Sequence, residues 1–289
     1  MFLPREIVKE KLKSFLKEDL GHGDVTSDLL VMDGTVVEAE IVAKESGVLA
    51  GLEEIKPLLE EFGLKTEKLK EDGDRLKKGE AILRVIGDAK TILALERTVL
   101  NFLCRMSGIA TLTAKLVEMV RKAGFKTIIA CTRKTAPGLE YFDKKAVRIG
   151  GGDTHRLHLD DMILVKDNHI KVVGSVSEAI KRAKEKASFS KKIEVEAFNL
   201  AEALEATRAG ADIIMLDNFT PAQIKETLLQ LEKEGLRSKV LVEASGGINE
   251  DNVVEFASTG VDILSIGMLT HSAKALDLSL EVRKVLKRA

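Results

Sequence analysis

The chain of 289 residues has no tryptophan, one tyrosine and only two cysteines, Cys104 and Cys131. Two cysteines give no disulfide framework and lack the spacing of a metal site, and Cys131 lies in an apolar run typical of a core strand. The 45 basic and 46 acidic residues nearly cancel, which argues against nucleic acid or a membrane as a partner. Charges every few residues exclude a signal peptide or a membrane span at the N-terminus. A cytoplasmic location is therefore expected.

The second half of the chain repeats one pattern. Seven β-rich runs each end in a charged, polar or glycine-rich cluster: residues 127–134, 146–156, 162–169, 192–198, 212–218, 240–247 and 263–268. Helix-like stretches connect several of them, at 174–187, 199–209, 220–234 and 249–259. Strands that alternate with helices predict a parallel sheet of βαβ units, whose polar strand ends share one rim. Because that rim carries the active site in β/α barrels, the pattern favours an enzyme.

The first part of the chain follows a different pattern. Its expected elements are a helix over 5–20, strands within 35–51 and 65–87, and a helix over 52–63. A long helical pattern over 89–123 comes next, and Ser107-Gly108 is expected to split it into two helices. This change of pattern predicts two domains: an N-terminal domain at 1–110, to which 275–289 return, and a second domain at 111–274.

Positive side chains fall in or beside several of these segments: Arg97, Arg133, Lys134, Arg156 and Lys166. A guanidinium group binds carboxylates and phosphates through two parallel hydrogen bonds, whereas lysine supplies a compact charge. Several such groups on one rim would repel each other unless an anion neutralised them. The set therefore predicts an anion site, with ordinary surface charge as the alternative.

The segment GGGDTHR (150–156) carries three consecutive glycines and a histidine. Glycines let backbone N–H groups approach a ligand closely, so a turn there predicts an anion-binding nest, with a flexible loop as the alternative. His155 has three open interpretations: a general acid, a group that positions the ligand, or a loop residue. His158 is interpreted as structural.

Carboxylates follow two neighbouring runs. Glu194 and Glu196 alternate with apolar residues and so point to one face of a strand, and Asp217 ends the next run. Glu196 and Asp217 have the oxygen ligands that suit Mg²⁺, or the charge to stabilise a developing cation. Salt bridges to the nearby lysines and arginines are the alternative.

The last two runs end in small residues. Ser245, Gly246 and Gly247 precede a helix, and Gly267 follows the final run. Phosphate sites in β/α barrels use these loops and a helix N-terminus. A phosphate cradle, a cation cluster and a carboxylate pair together fit a phosphosugar that carries further anionic groups.

Several of these strings resemble one known family. TRKTAPGL, AVRIGGGDTHR and LVKDNH, with GDVTSDLL, LDN, EASGGI and IGMLTHS, resemble the quinolinate phosphoribosyltransferases in order over about residues 18–280. The resemblance implies an N-terminal α/β sandwich domain and an incomplete seven-stranded α/β barrel. It also implies transfer of phosphoribose from phosphoribosyl pyrophosphate to quinolinate with decarboxylation, which yields nicotinate mononucleotide, pyrophosphate and CO₂ in NAD biosynthesis. Thr154 departs from the family, which usually has asparagine there.

The resemblance also implies a set of site residues. Those expected to bind substrate are Arg97, Thr132, Arg133, Lys134, His155, Arg156, Lys166, Glu196, Asp217, Ser245, Gly246, Gly247, Ile266, Gly267, Met268 and His271. Lys134, Glu196 and Asp217 are expected to be catalytic, and Glu196 and Asp217 to hold Mg²⁺, with no organic cofactor. A homo-oligomer is implied, either a dimer or a dimer-based hexamer, in which Arg97 reaches the partner subunit's site.

Two other readings of the function stay open at this point. A phosphoribosyltransferase of the same architecture, such as nicotinate phosphoribosyltransferase or a molybdenum-associated paralogue, would act on a different acceptor. A non-catalytic sensor or carrier of phosphate ligands would need the cradle but neither the full cation set nor the carboxylates. Release of CO₂ and of pyrophosphate separates these readings.

Overall fold

The computed structural model describes residues 3–288 and divides the chain into two compact units. The first unit comprises Met1–Leu112 and Ala273–Ala289, and the second comprises Thr113–Ser272. Within residues 3–288, the helices lack the combination of length and apolar character that crossing a bilayer requires.

The secondary structure follows the order expected from the sequence pattern in most places. The elements up to and including the long helix at the unit boundary are α1 (Arg5–Leu20), α2 (Val25–Leu30), β1 (Val36–Ala43), β2 (Gly47–Val48), α3 (Leu52–Glu61), β3 (Lys65–Lys68), β4 (Arg75–Leu76), β5 (Ala81–Asp88) and α4 (Ala89–Lys122). The elements that follow are β6 (Ile128–Ala130), α5 (Glu140–Ile149), β7 (Ile163–Val165), α6 (Asp167–Val173), α7 (Val176–Lys186), β8 (Ile193–Ala197), α8 (Leu200–Ala209), β9 (Ile213–Asp217), α9 (Pro221–Lys233), a 3₁₀ turn (Arg237–Lys239), β10 (Leu241–Ser245), α10 (Val253–Ala257), β11 (Ile263–Ser265), α11 (Met268–His271) and β12 (Leu278–Lys287).

The first unit is built on an antiparallel sheet with the strand order β12-β1-β5-β3. Alternate residues of β1, namely Val37, Ala39 and Ile41, are buried, as expected for a strand with one face on the core. The C-terminal strand β12 pairs with β1 along its length, from Val36 opposite Lys287 to Ala43 opposite Leu278. The last strand of the chain therefore completes the edge of the first sheet.

Helix α4 runs unbroken through Ser107 and Gly108, so the predicted split into two helices is wrong. Ser107 is buried, and its hydroxyl accepts the N–H of Ala50 at 3.0 Å. A Cβ on Gly108 would lie 2.1 Å from the carbonyl oxygen of Lys274. The small residues serve close packing, and a single glycine weakens a helix by only about 1 kcal/mol, which packing can offset.

Replacing Gly108 by alanine is expected to lower the free energy of unfolding by about 1–3 kcal/mol, because the new methyl group must displace backbone rather than a flexible side chain. Urea denaturation followed by circular dichroism measures this change. Asn101→Ala, at an exposed position of the same helix, is the control and is expected to stay within about 0.5 kcal/mol of the wild type. A Gly108→Ala protein as stable as this control would contradict the packing role.

The second unit contains a parallel sheet with the strand order β6-β11-β10-β9-β8-β7. An isolated parallel bridge joins Ala130 of β6 to Asp153, so a further segment pairs at that edge. Helices α7, α8 and α9 lie between successive strands, and the side chains of Ser175, Asn199 and Thr220 cap their N-termini. This sheet, with its two ends at β7 and the Asp153 segment, confirms the predicted incomplete α/β barrel.

One of the seven predicted strands is wrong in part. Residues 146–149 form the last turn of α5, and only Asp153 of the run 146–156 pairs with the sheet. Phe142, Ala146 and Val147 are buried, which is the i, i+4 spacing of a helix face. A short apolar run fits a strand or a helix equally well. Here residues 140–145 extend the run into a helix of ten residues.

Candidate active site

A cavity of about 560 Å³ lies at the carboxyl ends of the parallel strands in the second unit. Its lining residues are Cys131, Thr132, Arg133, Lys134, His155, Arg156, Leu164, Lys166, Asp167, Glu196, Phe198, Met215, Asp217, Glu243, Ser245 and Ser265. They come from the ends of all six strands and from the segment at Asp153. Parallel strands place their carboxyl ends on one rim, so polar groups far apart in sequence meet there.

The register of the strands explains how the polar side chains meet. Asp217 of β9 lies beside Ser245 of β10, which lies beside Ser265 of β11. One row lower, Glu196 and Glu243 flank Met215 on either side. Since residues two apart on a strand share a face, both rows point into the same cavity. The carboxylates and hydroxyls of the pocket are therefore a direct product of sheet register.

Two cations of the pocket, Arg133 and Arg156, disfavour each other's charge. Arg156 is buried, with 9% of its surface exposed. Burial lowers the pKa of Arg156, and the positive charge of Arg133 lowers it further. Two positive charges in a partly buried site attract an anion, and an anion site is what the sequence pattern predicts.

The carboxylates have partners on the same rim. Lys166 forms an ion pair with Glu196 through Oε1. The Asp217 carboxylate accepts a hydrogen bond from Asn218 Nδ2 at 2.8 Å. Glu196 therefore forms the salt bridge that was the alternative to metal binding, whereas Asp217 accepts a hydrogen bond from an amide. Both carboxylates line the cavity and stay within reach of a ligand there.

His155 lies on two buried carboxylates. Its Nε2 atom is 3.2 Å from Oε2 of Glu243 and 3.4 Å from Oε2 of Glu194, and both glutamates are wholly buried. Burial by itself lowers the pKa of His155, but hydrogen bonds to Glu194 and Glu243 and their charges outweigh it and raise the pKa to about 10. The structure thus favours a positioned histidine among the three open interpretations.

The position of the protons follows from the hydrogen bonds. Nδ1 of His155 faces the backbone N–H of Arg156 at 2.8 Å, so in its neutral form the imidazole carries its proton on Nε2, facing the carboxylates. Burial raises the pKa of Glu194 in spite of the opposing effect of His155. The protonation of His155 and that of Glu194 therefore depend on each other.

Glu243→Gln is expected to lower the pKa of His155 from about 10 toward its ordinary value of about 6.5, because one of the two charges that raise it is removed. A proton NMR titration of the imidazole Cε1–H signal measures this pKa, and His155→Gln assigns the signal. Glu226→Gln, on the exposed surface of α9, is the control. An unchanged His155 titration in Glu243→Gln would contradict the pairing.

The same shift fixes the sign of a pH effect on stability. The folded state holds the His155 proton more tightly than the unfolded chain does, so the stabilisation is fully present below about pH 6.5. It is lost as the pH rises through the folded pKa of about 10.

The loop after β10 is shaped by glycine. Gly246 has φ +100°, and a Cβ there would lie 2.2 Å from Oδ1 of Asn218. Asn218 is itself left-handed, with φ 60°, and its N–H donates to the carbonyl of Ser245 at 2.8 Å. The buried hydroxyl of Ser265 beside this loop makes no hydrogen bond within residues 3–288. These features bring a hydroxyl to the cavity, and they pack the loop after β10 closely against Asn218.

The three glycines at 150–152 have a packing role. Gly151 has φ +86°, and a Cβ on Gly152 would lie 2.8 Å from Thr113 and 3.1 Å from the carbonyl of Ile129. The segment therefore packs tightly against β6, and none of the three glycines lines the cavity. Thr154, which replaces the asparagine usual in the resembling family, donates its hydroxyl to the carbonyl of His155 at 3.0 Å.

The cavity gathers nine of the sixteen predicted substrate-binding residues: Thr132, Arg133, Lys134, His155, Arg156, Lys166, Glu196, Asp217 and Ser245. Six others are not lining residues and belong to the segments that follow Ser245 and Ser265: Gly246, Gly247, Ile266, Gly267, Met268 and His271. Gly267 contacts the Lys134 stem, since a Cβ there would lie 3.3 Å from Lys134 Cδ. Arg97 belongs to the first unit and is exposed on α4, so its role stays a prediction.

Among the polar residues that line the cavity, sequence reasoning missed Asp167, which directly follows Lys166, and two residues within the strands, Glu243 and Ser265. Each of the last two precedes a predicted phosphate residue by two positions, Glu243 before Ser245 and Ser265 before Gly267. The alternation of faces along a strand, which located Glu194 and Glu196, would have found Glu243 as well.

A parallel α/β barrel with a cation-lined pocket at its strand ends defines an enzyme that binds anionic ligands. Two family models match this chain: "Quinolinate phosphoribosyl transferase, N-terminal domain" over residues 24–107 and "Quinolinate phosphoribosyl transferase, C-terminal domain" over residues 109–281. The chain belongs to the quinolinate phosphoribosyltransferase family.

Known relatives are similar over nearly the whole chain. A protein of Methanothermobacter thermautotrophicus named probable nicotinate-nucleotide pyrophosphorylase (carboxylating) is 48% identical over 272 residues, covering 94% of this chain and 98% of the relative. The human nicotinate-nucleotide pyrophosphorylase (carboxylating) is 37% identical over 282 residues, covering 98% of this chain and 94% of the relative. The solved structure of the nicotinate-nucleotide pyrophosphorylase from Francisella tularensis has a TM-score of 0.90 at 37% identity and covers 98% of each chain.

Proposed function

We propose that the pocket of the second unit transfers phosphoribose from phosphoribosyl pyrophosphate to quinolinate and releases CO₂, giving nicotinate mononucleotide and pyrophosphate. Family membership supports this activity, a pentosyl transfer in NAD biosynthesis. The observation that carries it is the composition of one cavity. It holds five positive or protonatable side chains, namely Arg133, Lys134, His155, Arg156 and Lys166, together with the carboxylates Glu196 and Asp217.

The cations match the substrates in charge. Quinolinate brings two carboxylates, and phosphoribosyl pyrophosphate brings a pyrophosphate and a 5′-phosphate. We assign Arg133 and Arg156 to the quinolinate carboxylates, because their two positive charges disfavour each other and an anion between them relieves the repulsion. Both ring nitrogens of His155 face protein groups, so we assign His155 to positioning the neighbouring Arg156. Lys134, whose stem contacts Gly267, is assigned to the departing pyrophosphate, where it stabilises negative charge as it develops.

The transfer develops negative charge on the pyrophosphate and positive charge on the sugar. The bond between the anomeric carbon and pyrophosphate breaks while the ring nitrogen of quinolinate forms its bond to that carbon. Positive charge on the sugar is stabilised by Glu196 and Asp217, which face the same cavity from adjacent strands. The product ring is a cation, so the 2-carboxylate leaves as CO₂ and its electron pair stays on the ring carbon, which then takes a proton from water.

We extend the proposal to Mg²⁺ at Glu196 and Asp217. Both side chains fit this ion, because carboxylate oxygens are its preferred protein ligands and both line one cavity. When bound, Mg²⁺ supplies positive charge to the pyrophosphate group. Loss of turnover in EDTA and its return on addition of Mg²⁺ supports this assignment, and full activity in EDTA contradicts it.

A cytoplasmic homo-oligomer also belongs to the proposal. A dimer, or a hexamer built from three dimers, would let Arg97 enter the partner subunit's pocket, as the family resemblance implies. The exposure of Arg97 on α4 supports this role, since the side chain is available to another subunit. Analytical ultracentrifugation tests the assembly, and a monomer at working concentration would exclude the shared site.

Turnover of quinolinate with phosphoribosyl pyrophosphate and Mg²⁺ tests the function directly. The expected products are nicotinate mononucleotide, pyrophosphate and CO₂ in equal amounts. Nicotinate in place of quinolinate is the control, because it lacks the 2-carboxylate that leaves as CO₂. Turnover of nicotinate alone would favour the monocarboxylate-specific alternative, and binding of phosphoribosyl pyrophosphate without pyrophosphate release would favour the sensor.

A further inference from the structure

Lys144 is a wholly buried lysine outside the predicted site. It lies on α5 with no exposed surface. Its Nζ atom donates hydrogen bonds to the carbonyl of Thr154 at 2.6 Å and to the carbonyl of Arg156 at 2.9 Å. The Sγ atom of Cys131 lies 3.8 Å away. The ammonium group therefore reaches into the backbone of the loop that follows the three glycines.

Burying an ammonium group is costly. Burial lowers the pKa of Lys144, and transfer of a charge into an apolar interior is unfavourable unless hydrogen bonds replace water. Here two carbonyl oxygens replace it. An apolar residue would fill the same space without this cost, so the lysine is explained by what its hydrogen bonds hold in place.

The two carbonyls flank a strained residue. His155 has φ 51°, in the left-handed region, and sits between Thr154 and Arg156. A non-glycine residue in a sparsely populated backbone region is unfavourable and persists only where its surroundings hold it. The ammonium group draws together the carbonyl before His155 and the carbonyl after it, and so holds the turn in this conformation.

The turn directs two side chains into the cavity. With the backbone left-handed at His155, its imidazole meets Glu243 and Glu194 while its Nδ1 faces the Arg156 N–H. The next residue, Arg156, lines the cavity with its guanidinium group. Release of either carbonyl would let the turn relax and would move both side chains.

We propose that Lys144 is a positioning residue for the substrate-carboxylate site: it clamps the turn at His155 and thereby sets the directions of His155 and Arg156. The role concerns quinolinate rather than phosphoribosyl pyrophosphate, because Arg156, at the end of the clamped turn, is assigned to the quinolinate carboxylates. The expected effect on quinolinate turnover rests on the proposed function. The expected effect on the orientation of His155 does not.

Steady-state kinetics of Lys144→Met test the kinetic consequence. Methionine keeps the length of the side chain and removes both hydrogen bonds. We expect KM for quinolinate to rise by about tenfold or more, since a displacement of about 1 Å can cost 100-fold, with KM for phosphoribosyl pyrophosphate within twofold of the wild type. Arg148→Met, at an exposed position of the same helix, is the matched control and is expected to match the wild type.

A merely structural role predicts a different result. It would lower the melting temperature and the active fraction, so that apparent kcat falls while both KM values stay unchanged, and this outcome overturns the proposal. Should Lys144→Met fail to fold by circular dichroism, Lys144→Gln carries the same comparison, because the amide is uncharged but retains a donor for one carbonyl.

The geometric consequence is tested without turnover. Because the turn orients the imidazole toward Glu243, the NMR titration of His155 in Lys144→Met is expected to shift toward lower pH than in the wild type and in Arg148→Met. An unchanged His155 signal and titration in a folded Lys144→Met protein overturns the positioning role whatever the assay gives. A wild type that fails to turn over quinolinate overturns the proposed function instead.

Discussion

Arg156→Ala is expected to lower kcat/KM for quinolinate by roughly 10²–10³-fold while the far-UV circular dichroism spectrum stays that of the wild type. Loss of a buried charge that pairs with its partner costs about 2–5 kcal/mol, and each 1.4 kcal/mol is a factor of ten. Arg156 is 9% exposed and lines the cavity, so a substrate carboxylate there would lose a largely desolvated partner. The measurement is a steady-state titration of quinolinate at saturating phosphoribosyl pyrophosphate.

The control for this prediction is a surface arginine. Arg182 lies on α7, where it pairs with Glu178 one turn away and is half-exposed. Arg182→Ala removes the same group and should leave kcat/KM unchanged. A near-normal kcat/KM in Arg156→Ala would remove Arg156 from the site, and the proposed binding of the quinolinate carboxylates would go with it.

Glu196→Gln and Asp217→Asn are each expected to lower kcat by roughly 10²–10³-fold and to leave quinolinate affinity within a few-fold of the wild type. Removal of one group that stabilises developing charge costs about 2.7–4 kcal/mol in other enzymes. Both changes keep the shape of the side chain and remove its charge. An interaction made only in the transition state lowers kcat rather than binding.

The measurement for the carboxylates separates two roles. Single-turnover rates report the transfer step, and equilibrium binding of quinolinate reports the ground state. Glu226→Gln, on the exposed surface of α9, is the control. Weaker binding with unchanged kcat would show that the two carboxylates only hold substrate, and charge stabilisation of the sugar would be wrong. Because the two groups face one cavity, the double variant is expected to fall short of the product of the single effects.

The alternation of strands and helices along the second unit can be predicted from the sequence, because the signals for each element are local. Runs such as 192–198 and 212–218 became β8 and β9 within a residue or two at each end. Side-chain alternation and the intervening helix caps at Asn199 and Thr220 arise from neighbours within a few residues. The rim of polar strand ends then follows from parallel pairing alone.

Two local predictions failed where packing outweighed the local signal. Ser107-Gly108 resembles a helix break, but Ser107 hydrogen bonds to Ala50 and the backbone at Lys274 packs onto Gly108. Residues 146–149 resemble a strand, but they complete the buried face of α5. For Ser107-Gly108 the deciding contacts involve residues far away in the chain, and for 146–149 the helix that decides begins before the apolar run.

By itself the sequence determined the order of strands and helices, the family, and which charged residues end the strands, because periodicity and motifs are properties of short segments. Only the tertiary structure decided which of those charges meet. Glu243 reaches His155 across 88 positions of the chain, and Lys144 reaches the two carbonyls around His155 from inside a helix. Such pairings depend on burial, which changes the energy of a charge far more than its sequence neighbours do.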